Sequence, residues 1–193
     1  MRVTITSAAF VAAVALVASG AAAAPALAAE RTTGHALLAL DLKIPNGDIT
    51  ADKPAKNKKS GMFFPIASVD GDTVVLRGKL VLTYGGASQP VPVDITLDRG
   101  AKRADFMISI AGQSAPLFYS SGMSQSKPVV VVNTAKKVRT STTIWKGVLR
   151  LDPAVAQNFN DSFGTNVPPG GKIGQFELKI NTKAPCKNSA CTR

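Results

Sequence analysis

The segment Thr73–Gly86, "TVVLRGKLVLTYGG", decides how the chain is read. Val74, Leu76, Gly78, Leu80 and Leu82 fall on one side of a period-two pattern, with Arg77, Lys79 and Thr83 on the other. Successive side chains of an extended strand point to opposite faces, so this alternation predicts a strand with one buried and one wet face. Tyr84 then ends the apolar face and Gly85-Gly86 follow at once, a hairpin signal because glycine adopts positive φ without a Cβ penalty. Two readings of Tyr84 follow. It is the last core residue, with its ring inside and its hydroxyl at the wet boundary, or it points a phenol at a ligand.

The same alternation extends in both directions along the chain. Leu38, Leu40, Leu42 and Ile44 share a side in "LLALDLKI"; Val93, Ile95 and Leu97 do so in "PVDITLD"; Phe106, Ile108 and Ile110 do so in "RADFMISIA". Trp145, Gly147, Leu149 and Leu151 face one way in "TTIWKGVLRL", as do Phe176, Leu178 and Ile180 in "IGQFELKIN". Polar opposite faces predict antiparallel sheets buried on a single side. "PNGD" (Pro45–Asp48) and "DGD" (Asp70–Asp72) are hairpin-type turns. "PVVVVN" (Pro128–Asn133) lacks alternation and reads either as a fully buried strand or as an edge awaiting another chain. One helix is predicted in "DPAVAQNFNDSFG", capped by Asp152, with Pro153 in its first turn, Val155, Phe159 and Phe163 on one face, and Gly164 at its end. The expected fold is mainly β: an antiparallel β-sandwich or flattened barrel with one short C-terminal helix, forming a single domain over residues 29–183.

Residues 1–28 read as a secretory signal peptide, with Arg2 at the front, an Ala- and Val-rich stretch, and Ala26-Leu27-Ala28 before the cut. No later stretch approaches the roughly 20 apolar residues of a spanning helix, so no transmembrane anchor is expected after cleavage. Export makes Cys186 and Cys191, in a polar tail over residues 184–193, read as a disulfide. The expected location is secreted or extracellular, with the chain either released or held at the cell wall by non-covalent contacts. The chain carries a formal charge of +11, which outside a cell favours anionic wall polymers and anionic small molecules as partners. Part of that charge is clustered at Lys53, Lys56, Lys58 and Lys59, a solvated loop or a polyanion contact.

Material for catalysis is sparse. His35 is the one histidine, and beyond the cleavage point the glutamates are Glu30 and Glu177. Asp70 and Asp72 flank a turn but fall short of the roughly six oxygens calcium takes. No zinc or phosphate-loop pattern occurs. Few aromatics give no stacking platform for nucleic acid. A binding role is therefore expected rather than an enzyme, with Tyr84, Tyr119 and His35 as candidate ligand contacts and no metal site.

Four stretches, taken in order, resemble the HtaA domain family, exported domains of Gram-positive actinobacteria associated with haem uptake. They are "NGDITA" from Asn46, "MFFPIASVDGDTVVLRGKLVLTYGG" from Met62, "VDITLDRGAKRADFMISIAG" from Val93, and "LRLDPAVAQNFNDSFGTNVPPGGKIGQFELKI" from Leu149. The resemblance implies an immunoglobulin-like or related β-sandwich, export, and a haem or other flat anionic ligand. The chain departs from the family at two places. The helix that supplies an axial tyrosine near the family's start is replaced by "TTGHALLALDLKIPNGD", and the family's glycine-bracketed histidine by "TYGG". Tyr84 thus stands near that histidine's place, which makes it the contact the resemblance favours.

Overall fold

The computed structural model describes residues 31–110 and 112–186. The expected signal peptide, residues 1–28, and Cys191 of the expected disulfide lie outside them. The strands among the described residues are β1 (Arg31–Leu40), β2 (Gly47–Asp52), β3 (Lys56–Lys58), β4 (Gly61–Asp70), β5 (Thr73–Tyr84) and β6 (Ala87–Asp98). β7 (Arg103–Ile110), β8 (Gln113–Ser120), β9 (Ser124–Gln125), β10 (Val129–Asn133) and β11 (Val138–Leu151) follow, then helix α1 (Ala156–Phe163) and β12 (Lys172–Pro185).

Eight strands close a ring of antiparallel ladders. β5 pairs with β6, β6 with β7, β7 with β8, β8 with β11, β11 with β12, β12 with β1, β1 with β4, and β4 returns to β5. The chain is thus mainly β with one short helix, as the alternation predicts, and ring closure makes it a barrel. Closure satisfies the backbone groups that an open sheet leaves at its edges. The ring has one thin seam: β8 meets β11 only through Tyr119 with Arg150 and Phe118 with Leu151.

An eight-stranded barrel is just wide enough for side chains to fill. Phe64, Phe106, Phe118, Leu38, Leu80, Ile95, Leu149 and Leu178 are fully buried and occupy the interior, each contributing about 1.5–3 kcal/mol relative to exposure. In β5, Val74, Leu76, Leu80 and Leu82 are buried as the alternation requires. Gly78, at φ 98, is where β5 changes partner, from β4 up to Leu76 to β2 from Lys79. A Cβ there would lie 2.6 Å from Ala55 Cβ and 2.7 Å from the Asp52 carbonyl, so the corner needs glycine. Gly85 and Gly86, at φ 57 and 79, form the two-residue turn that pairs Tyr84 with Ala87.

Several expectations are corrected. The Asn46-Gly47 turn does not join paired strands, because β1 pairs with β12 and β4 while β2 pairs with β5. Instead Asn46 N–H donates to the Phe163 carbonyl at the end of α1. The helix starts later than its sequence signal, with Val155 at the cap position and no side-chain cap bond. Asp152 accepts from Ala154 N–H, so it orders the turn before the helix rather than the helix itself. Gly164 ends α1 in the left-handed conformation as expected. Buried Phe159 and Phe163 carry α1 from Phe118 of β8 to Tyr84 of β5, across one end of the barrel. β12 runs through Ala184 and Pro185, which pair with Arg139 and Val138, so the barrel's last strand enters the segment expected as tail.

"PVVVVN" is not a buried strand. Among the described residues β10 pairs only with the first part of β11, and Val129, Val130 and Val131 are 61%, 42% and 61% exposed. It forms, with Val138–Thr142 and the end of β12, a flap that extends the sheet beyond the barrel.

Candidate functional site

The outer face of the sheet holds the site. On β1, Ala36 and Leu38 point inward, so His35, Leu37 and Ala39 face out. Across the ladder Leu37 lies between Glu177 of β12 and Phe63 of β4, and Ala39 lies beside Gln175. Lys146 and Val148 of β11 extend the same rows past β12. Leu37, Ala39, Lys146, Val148, Gln175 and Glu177 floor a cleft of about 500 Å³, with His35 and Phe63 just outside its lining. Its rim is Ser60, before β4, together with Ser121, Gly122 and Ser124, where the chain leaves β8 at the thin seam. Gly147 belongs to the inward row of β11, and a Cβ there would collide with Ser120 Oγ and lie 2.7 Å from Phe176 Cε1. Its missing side chain lets β11 sit close to both and holds the floor in place. Ser120 Oγ is buried with no hydrogen-bond partner.

The charges at the cleft are unevenly matched. Lys146 Nζ pairs with Glu177 Oε2 at 2.9 Å across the floor, a partly exposed contact of modest strength. One residue pair along β1, the His35 imidazole stacks on Phe63 with ring centres 4.6 Å apart, and Lys58 Nζ lies 3.9 Å from the centre of the same Phe63 ring. Burial, and next the Lys179 cation, hold the His35 pKa below its ordinary 6.5, with Glu177 opposing and Lys58 adding to the depression. His35 is therefore a neutral imidazole at neutral pH, and nothing among the described residues hydrogen-bonds to its ring. Such a ring is a competent hydrogen-bond acceptor or metal ligand.

The other expected contacts lie elsewhere. Tyr84 is half-buried, its ring edge-on to Phe163 at 5.3 Å and its hydroxyl donating to Gln89 Oε1 at 3.4 Å. It takes the core-end role, beside α1. Tyr119 lies on β8 beneath the Arg103 guanidinium, 4.5 Å from the ring centre, and that arginine is bound by Asp105. Bonding to Asp105 raises the Arg103 pKa further above its already high value. Tyr84, Tyr119 and His35 thus sit on three separate strands in three settings and do not converge. Among the described residues no three His, Cys, Asp or Glu side chains gather to hold a metal ion.

Lys53, Lys56, Lys58 and Lys59 are exposed, and among the described residues none joins an ion pair. The segment is built rather than loose. Lys56–Lys58 forms β3 on β4, and Asn57 clasps Ala51 by accepting from its N–H and donating to its carbonyl, at 2.9 and 3.1 Å. Cys186 N–H donates to the Lys137 carbonyl at the flap's turn. No helix among the described residues is long and apolar enough to cross a membrane.

Sequence reading singled out His35 and Lys58, which lie beside the cleft rather than in its lining, and did not single out Leu37, Ala39, Lys146, Gln175 and Glu177, which form its floor. A signal was present: "LLAL" is apolar on both faces, which a strand with one wet side does not require. No family model matches the chain, and no curated protein or solved structure does so either.

Proposed function

We propose that this chain is an exported, non-enzymatic binding module that takes a flat, largely apolar ligand with anionic edges into the cleft on β11, β12 and β1. The observation that carries this reading is the floor itself. Leu37, Ala39 and Val148 lie on the outer face of a sheet whose core is already filled, with Lys146 in the lining and His35 and Lys58 just outside it, against the Phe63 ring beside Leu37. An apolar floor with a few convergent polar groups is the usual make-up of a ligand site. The lysines suit carboxylates on the ligand's rim.

Haem fits this donor set at one end only. If haem is the ligand, His35 would hold it, because its imidazole is neutral and its nitrogens have no hydrogen-bond partner among the described residues, and the group would supply an iron centre for that nitrogen. Tyr84 does not fit as a ligand, since its ring and hydroxyl are both engaged. On this proposal the haem contact that the resemblance to HtaA domains favours moves from Tyr84 to His35. The Cys186–Cys191 bridge belongs to the same proposal as a local staple in an exported chain.

Titrating haemin into the purified chain from residue 29 onward tests the reading. The expected result is a saturable absorbance change at a single equivalent, lost in His35→Ala and unchanged in Tyr84→Phe and Tyr119→Phe. A non-saturating titration, or loss of the change in Tyr84→Phe alone, contradicts it.

A second reading has its own observation, the four exposed lysines of the β3 segment, none of which joins an ion pair among the described residues. They suit an anionic wall polymer. Binding to such a polymer should weaken steeply with salt and vanish when Lys53, Lys56, Lys58 and Lys59 are all changed to serine, because exposed charges are screened within roughly 10 Å at 0.1 M salt. Binding that survives both treatments rules this contact out.

A further inference from the structure

We infer that the free edge of β10 is a docking strand for an extended acidic peptide segment of another protein, which adds to the sheet as one more strand. The inference starts from a rule that β10 breaks. Natural sheets guard an edge by placing charges or proline within it, by bulging it, or by covering it. β10 has Pro128 only before it, and Val129, Val130, Val131 and Val132 run without interruption. Its one ladder among the described residues, to β11, is in continuous register from Val129 with Thr142 to Asn133 with Val138. One side of the strand thus presents a regular row of backbone donors and acceptors. Valines project from both faces of the flap.

Charge identifies the occupant. Between Asp105 and Asp152 the sequence holds no acidic residue, and the flap and its approaches carry Lys127, Lys136, Lys137, Arg139 and Lys183. The ion pairs among the described residues are Arg99 with Asp72, Arg103 with Asp105, and Lys146 with Glu177, so these five cations have no carboxylate partner there. A second copy of β10, paired antiparallel, would bring Lys127 of one chain towards Lys136 of the other, and such like-charge juxtaposition is unfavourable. An anionic polymer would satisfy the lysines but leave both the valines and the backbone row unused. A peptide strand with acidic ends and β-branched residues at alternate positions satisfies all three: main-chain bonds supply affinity, alternate side chains meet valines, and the ends meet lysines. This surface is separate from the cleft and does not rest on the ligand reading.

The test uses the purified chain from residue 29 onward and a fluorescent synthetic peptide of sequence DEVTVTVED. Fluorescence anisotropy should report saturable binding. A copy of the peptide with alternate backbone nitrogens methylated should bind roughly tenfold more weakly or worse, because it cannot complete the ladder. Val131→Asp should lose at least about tenfold through repulsion and lost side-chain pairing, with the thermal midpoint of the protein unchanged. Val131→Thr keeps a β-branched side chain and should retain binding. Four outcomes overturn the proposal. Equal binding of the methylated peptide, or full displacement by polyglutamate, means a charge contact alone. A dimer in light scattering that Val131→Asp dissolves assigns the edge to a second copy. Binding that appears only after residues 187–193 are deleted assigns it to the chain's own tail.

Discussion

The two halves of β11 have similar strand geometry and opposite surroundings. From Trp145 to Leu151 the strand is a barrel stave, with Trp145, Leu149 and Leu151 buried against a full interior. From Val138 to Thr142 it is the middle of the flap, between β10 and the end of β12, and none of its residues is buried. The flap half is paired on both sides, to β10 and β12, whereas Gly147–Leu149 of the barrel half pair with β12 alone, so hydrogen bonding does not account for the barrel half's greater burial. What differs is whether the side chains have a second layer to bury against, and this separates a part that supplies stability from a part left free to bind.

Substitutions should break this comparison first. Leu149→Ala, in the barrel half, should lower the unfolding free energy by about 2–5 kcal/mol, because it empties a fully enclosed site. Val130→Ala, in the flap, should lower it by at most about 1 kcal/mol, the span of strand propensity at an exposed edge. Urea unfolding of both variants checks the contrast, and equal losses would mean that the flap is packed as the barrel is.

A smaller effect sharpens the boundary between the halves. His35 stands at the level where β1 gains β4 as a second partner, in register with Lys179 and Pro65. Its folded pKa lies below the unfolded value near 6.5, chiefly through burial, so below pH 6.5 the unfolded chain binds more protons. Stability linked to His35 is therefore present above pH 6.5 and is lost as pH falls through the folded pKa. The thermal midpoint should drop over that window, and His35→Gln should remove that component of the drop. A profile that is the same in the variant would mean that His35 is not desolvated.

Much of the barrel was legible because period-two patterning reports burial directly. Val74 to Leu82, Val93 to Leu97 and Phe176 to Leu178 alternate in sequence and are buried accordingly. Ring closure was not legible, since no local pattern tells β4 that it meets β5 on one side and β1 on the other. The four valines of β10 left two readings open for a related reason. A run without alternation fits a strand buried on both faces or exposed on both, and only the neighbours decide. Asp152 carried a genuine capping signal, but it was used one turn early. The cleft was the least visible part, because its floor joins alternate residues of β1, β11 and β12 that are far apart in sequence and come together only through register. Tyr84 attracted attention by type, yet its surroundings make it a packing residue.

The central claim is that ligand is received on the outer face near His35 and not at the Tyr84 end. Amide hydrogen exchange of the chain from residue 29 onward, with and without haemin, tests it most directly. The account predicts slowed exchange at residues 35–39, 58–60, 121–124 and 146–148, with residues 84–89 and α1 unchanged. Protection centred on residues 84–89 and α1, with the cleft segments unaffected, would contradict it.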